Sequence, residues 1–137
     1  MKHHILHGAG LTLRPALWAS LKNKSPENLQ FLELMPSDWV GVGSKPNQDL
    51  VELTQRFPSV CVSQSLSLGG PGILDKQVLR DLRNFMEIHD IPMFSEALAW
   101  SADDAPLFIN LPIPSTRAAV AWTAARIAQV QDALGLR

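Results

Sequence analysis

The stretch Ser59-Val60-Cys61-Val62-Ser63-Gln64-Ser65-Leu66-Ser67-Leu68-Gly69-Gly70 decides the fold. Its first five residues are a short apolar run with two β-branched valines, which reads as a buried strand. The remainder is small and polar and ends on paired glycines, so a loop opens at the strand's C-terminal end. Working outward, three more strand-like runs appear: His4 to Gly10, Leu29 to Met35 closed by Pro36, and Met93 to Leu98 opened by Pro92. Helical periodicity fills the intervals. Leu17, Trp18 and Leu21 share a face after Arg14-Pro15, and Leu50, Val51, Thr54 and Phe57 form a stripe between about Asn47 and Pro58. Asp75 can cap a helix with the stripe Val78, Leu82, Phe85, Met86 and His89. The longest helix takes Ser115 or Thr116 as N-cap, buries Val120, Thr123, Ile127, Val130 and Leu134, and stops at Gly135. The proline-rich segment before it, with Leu107-Phe108-Ile109, reads as a connection.

Strand and helix alternating about every thirty residues predict parallel pairing through right-handed crossovers. Two architectures use that unit, a doubly wound open sheet and half of an eight-stranded barrel. Pattern alone leaves both open.

The 137 residues suffice for one domain with its own core. A net charge of −1 provides no basic field for nucleic acid or an anionic membrane. No apolar run is long enough to span a bilayer, and the N-terminal stretch lacks the features of a secretory signal. A single cysteine, Cys61, excludes an internal disulfide and fits a reducing compartment. The expectation is a cytoplasmic protein with neither nucleic acid nor membrane as partner.

Several residue groups invite chemistry and mostly resist it. His3, His4 and His7 resemble a metal cluster, but on a strand their side chains point to alternate faces. His89 reads as a core-edge histidine at a helix C-terminus, where the dipole favours its charged form. Ser63, Ser65 and Ser67 have no histidine nearby to act as base. Gly69-Gly70-Pro71-Gly72 lacks the lysine of a phosphate-binding loop and reads as a turn. Glu33 and Glu96 carry more weight, because a carboxylate inside an apolar strand must face a site or find a buried partner.

Five landmarks recur in order. Gly8-Ala9-Gly10-Leu11-Thr12-Leu13-Arg14-Pro15 comes first, then Leu32-Glu33-Leu34-Met35-Pro36-Ser37-Asp38-Trp39. Leu66-Ser67-Leu68-Gly69, Ser95-Glu96-Ala97-Leu98-Ala99-Trp100-Ser101 and Leu111-Pro112-Ile113-Pro114-Ser115-Thr116 follow. Together they resemble the first half of the multinuclear non-heme iron-dependent oxidative enzymes, the group that includes the iron subunit of methanobactin synthase. The resemblance favours the barrel, as a (βα)4 half of a TIM-type barrel with parallel strands and outer helices, residues 1–137 forming one truncated domain. It also implies iron, bound by histidines at two positions that here hold Val62 and Ala97. Those residues offer no lone pair, so no metal ligand, catalytic residue or cofactor is expected in this chain, and Glu33, Asp38 and Glu96 remain as a residual candidate site.

The expected function is then a degenerate, non-catalytic half-barrel related to iron-dependent peptide-modifying enzymes. The alternative is a component of a composite metal-dependent enzyme that oxidises cysteine in a ribosomal peptide. A half-barrel leaves two sheet edges unpaired, so the expected partner is a second copy or a complementary barrel half, with a peptide as the substrate class the resemblance suggests.

Overall fold

A computed structural model describes residues 6–24, 26–39, 48–103 and 105–136. Four short strands form one sheet in sequence order: β1 (Gly10–Thr12), β2 (Phe31–Leu34), β3 (Ser59–Ser63) and β4 (Met93–Glu96). The sheet is parallel and alternates with helices, the architecture of half a βα barrel. Gly10 pairs with Phe31 and Thr12 with Glu33, while Glu33 pairs with Val60 and Leu34 with Cys61. The helices are α1 (Pro15–Lys22), α2 (Gln48–Arg56), α3 (Lys76–Ile88) and α4 (Arg117–Leu134), with a 3-10 turn at Pro36–Asp38. No helix among the described residues is long and apolar enough to cross a membrane.

The first strand starts later than its sequence suggests. His3 and His4 lie outside the described residues, and the run to Gly10 is broken at Gly8, whose φ of +86° is left-handed. Ala9 instead donates its N–H to the Gln30 side-chain carbonyl at 2.7 Å. Gly10 then enters the sheet because Phe31 packs across it, where a Cβ would strike the ring. A second difference is larger. The proline-rich connection contains an antiparallel hairpin, β5 (Trp100–Ala102) and β6 (Pro106–Leu111). Its proline is the first residue of β6, a position where no ladder N–H is needed.

Contacts group the chain into two compact units, Met1–Val62 with Asn84–Ser95 and Ser63–Arg83 with Glu96–Arg137. In the first unit, Leu13, Leu32, Leu34, Leu50 and Cys61 have no exposed surface. Leu21, Leu53, Phe57, Phe85 and Ile91 complete this core. Lys22 on α1 lies over the Trp18 ring and pairs with Asp49 of α2 at 3.1 Å, which ties these two helices edge to edge.

In the second unit, Leu66, Leu68, Leu79, Leu82, Val130 and Leu134 are buried. Thr116 caps α4 by accepting the Ala119 N–H, and Gly135 closes it at φ +70°. The buried stripe of α4 differs from the expected one at two positions. Val120 is 67% exposed, whereas Arg126 is buried. Apolarity alone selected Val120 and Ile127, but the stripe Thr123, Arg126, Val130 and Leu134 keeps helical spacing and takes the arginine inside.

Candidate functional site

Active sites of βα barrels sit at the C-terminal ends of the strands, so the residues at and just after those ends define the candidate site. In β2 and β3, side chains alternate between two faces. Leu32, Leu34 and Cys61 fill one face with no exposed surface. Thr12, Glu33, Val60 and, two residues on, Val62 lie on the other by register. Glu33 is half-buried there, and one carboxylate oxygen accepts the Thr12 hydroxyl at 2.7 Å. Asp38, at the end of the 3-10 turn, faces the Arg14 guanidinium at 3.6 Å, too long for a hydrogen bond. Both carboxylates belong to the first unit.

Glu96 belongs to the second unit. The Ala97 N–H donates to the Ser63 carbonyl at 3.3 Å, which sets Glu96 beside Ser63 at the strand end. Both carboxylate oxygens are buried without a well-formed hydrogen bond. Burial therefore raises the Glu96 pKa above the ordinary value of 4.5. The nearby Ser63 hydroxyl and the backbone amides of Leu66 and Ala97 offset only part of that.

This shift has a measurable consequence. The folded chain keeps the Glu96 proton over a pH window in which the unfolded chain has released it. The stabilising contribution is complete below about 4.5 and is lost as pH rises through the raised folded value. Glu96→Gln is accordingly expected to raise the melting temperature at neutral pH and to change it little near pH 4. Thermal melts of both proteins at the two pH values check this; an advantage of the glutamine that grew on acidification would contradict it.

The serine loop after β3 is built as a clasp. Ser67 adopts a left-handed φ of +47°, costly for a residue with a side chain. Its hydroxyl offsets the strain by accepting the N–H groups of Ser101 and Ala102 and donating to the Ala102 carbonyl, each at 3.0 Å. This fixes the loop to β5 and occupies the oxygen a nucleophile would need. Ser63 and Ser65 hydrogen-bond each other at 2.8 Å. Gly70 has no room for a Cβ, which would meet the Ser67 hydroxyl.

From α4, Trp122 donates its indole N–H to the Gly70 carbonyl at 3.0 Å. Arg126 donates to the carbonyls of Gly72, Leu66 and Ser67, the last two at 3.2 Å. Its guanidinium also lies 5.6 Å from the Trp122 ring centre. Sequence reasoning missed Arg126 as the keystone of this loop, although its helical phase with Thr123 and Val130 was the available signal.

His89 ends buried against the Phe85 ring at 4.6 Å, with Nδ1 lacking a partner. Burial lowers its pKa below 6.5, so the histidine is neutral near pH 7 rather than held charged by the helix end. It lines a cavity of about 330 Å³ with Phe57, Ser59 and Met93. That cavity lies where β3 and β4 begin, the end of the strands opposite to barrel chemistry.

Each candidate carboxylate has its own local surroundings. Glu33 accepts the Thr12 hydroxyl, Asp38 lies 3.6 Å from the Arg14 guanidinium, and Glu96 sits beside Ser63 with its oxygens buried. Val62 and Ala97 bring no donor atoms, and among the described residues no group of three His, Cys, Asp or Glu could hold a metal ion. This donor set does not fit a transition metal.

Comparison with known proteins supplies a name for the scaffold. Residues 8–137 match the family model described as RiPP precursor modification enzyme MbnB/TglH/ChrH. A UPF0276 protein of Pseudomonas aeruginosa is 40% identical over 134 residues, which cover 98% of this chain and 47% of that protein. A UPF0276 protein of Nitrosospira multiformis is 38% identical over 93% of this chain and 45% of its own length. One from Acinetobacter baylyi is 36% identical over 96% and 46% respectively. The chain spans about half the length of the curated relatives it matches.

Proposed function

The chain belongs to the RiPP precursor modification enzyme family MbnB/TglH/ChrH, and from that membership we propose that it is a non-catalytic barrel half that keeps the family's scaffold without its metal chemistry. One observation carries this reading. The strand-end positions that the family's motif gives to histidine hold Val62 and Ala97, while the residues that shape the same strand ends remain in working order. The Ser67 clasp is intact, Arg126 holds its loop, and Glu33 has a local hydrogen-bond partner. Selection for a folded rim without selection for ligands is what a binding or scaffolding role requires. In this reading the chain works in the cytoplasm through association, with a second barrel half as its partner and a peptide as the substrate class of the assembly.

Restoring the lost imidazoles tests it. Wild type and a Val62→His, Ala97→His variant are exposed to iron(II) under anaerobic conditions, desalted and analysed for bound metal. The wild type is expected to stay at background and the variant to gain iron, because imidazole nitrogens supply the donor atoms that Val62 and Ala97 lack. Stoichiometric iron in the wild type would overturn the proposal.

A further inference from the structure

The cavity at the start of β3 and β4 takes no part in strand-end chemistry, yet the ends of two helices shape it. Its volume is about 330 Å³, at the lower end of the range for small-molecule pockets, and every residue lining it belongs to the first unit. Helix α2 finishes at Arg56 and α3 at Ile88, and both residues line the cavity. The negative ends of two helix dipoles therefore meet at one space. Phe57, Ser59 and His89 are buried in its wall, while Ile88, Asp90 and Met93 are exposed beside it.

The polar groups of the wall lean towards accepting hydrogen bonds. The Thr54 hydroxyl donates to the Val51 carbonyl and the Ser59 hydroxyl to the Phe57 carbonyl, each at 3.0 Å. With those protons committed, both oxygens offer a guest lone pairs only. Asp90 adds a carboxylate. Its left-handed φ of +49° ends α3, and the Ile91 N–H reaches back to the Met86 carbonyl at 2.9 Å. His89 contributes no positive charge near pH 7, because burial lowers its pKa. Gln55 carries both a donor and an acceptor and selects neither sign of charge. Arg56 is the opposing group. Its guanidinium donates to the carbonyls of Leu21, Lys22 and Lys24 at 2.8–3.4 Å, which turns that fork to the end of α1.

We propose that this cavity binds a small organic ammonium ion, a primary amine on an apolar body. Thr54, Ser59 and Asp90 accept its N–H groups, and the two helix ends favour its charge. Phe57, Ile88 and Met93 pack on its hydrocarbon part. An anion of the same size meets the same lone pairs and the same dipole ends as repulsion. The site uses none of the candidate carboxylates Glu33, Asp38 and Glu96, so it stands or falls independently of the metal-free reading.

Three probes of one shape test it: phenethylamine, phenethyl alcohol and phenylacetate. Each is titrated into the isotope-labelled 137-residue chain at neutral pH and followed by backbone amide chemical shifts. Phenethylamine is expected to saturate with a Kd of about 1 mM or tighter, with its largest shifts at Phe57, Ser59, His89 and Met93. Phenylacetate should bind about tenfold more weakly or worse, with the alcohol between them. Asp90→Asn places a residue that also tolerates the left-handed conformation, so the fold is kept. It should weaken phenethylamine about threefold or more and leave the alcohol unchanged. Thr54→Val removes one acceptor and should weaken amine and alcohol alike. No saturable amine binding, or shifts centred away from these residues, would overturn the site. Phenylacetate bound as tightly as the amine, or an amine affinity indifferent to either variant, would overturn the ligand class.

Discussion

Replacing Arg126 with alanine is expected to destabilise the chain by about 3–5 kcal/mol, the range for breaking a buried charged group out of its partners. The guanidinium satisfies three loop carbonyls at once, those of Leu66, Ser67 and Gly72. Truncation removes all three bonds and opens a void beside Trp122 without giving the carbonyls access to water. The loop they belong to already holds Ser67 in a left-handed conformation, so it has little conformational reserve. Arg126→Lys should recover only part of the loss, because an ammonium cannot fork to carbonyls in three directions. Urea unfolding monitored by circular dichroism reads the effect as a fall in midpoint at unchanged slope. A loss below about 1 kcal/mol would mean that the arginine is not the keystone of the loop.

Leu34→Ala is expected to cost about 2–5 kcal/mol. Leu34 has no exposed surface and pairs in register with Cys61, itself fully buried, in the middle of the parallel sheet. Truncation would leave a cavity on the sheet face that Leu32, Leu34 and Cys61 fill with no exposed surface. The same unfolding experiment on Val120→Ala gives the contrast, with an expected change within about 0.5 kcal/mol because that valine is mostly solvated in the single chain. Comparable losses from Leu34 and Val120 would contradict the assignment of core and open flank.

Much of the fold was legible before any coordinates. Three of the four sheet strands fall inside the apolar runs, because a strand with a helix-covered face is rich in apolar residues. Thr116 and Gly135 bound α4 as their side-chain chemistry requires. The hairpin β5–β6 was not legible, since three and six residues interrupted by proline are too short to show a period. The start of β1 was missed because Gly8 looks like part of an apolar run until its left-handed φ is seen.

The candidate site divided along similar lines. That Val62 and Ala97 carry no donor atoms could be read from residue identity alone. The surroundings of the remaining carboxylates could not: the Thr12 bond to Glu33 depends on strand register, and the burial of Glu96 beside Ser63 on the way β4 ends. Arg126 escaped because a charged residue in a buried stripe is discounted unless the loop carbonyls that satisfy it are known.

The most direct test of the central claim, a family scaffold that has given up the family's metal, is elemental mass spectrometry of the tag-free chain purified from iron-supplemented medium. Iron and other transition metals at background, in protein that unfolds cooperatively, are the predicted result. Near-stoichiometric iron would contradict it, and would place a metal site among Glu33, Glu96 or the N-terminal histidines.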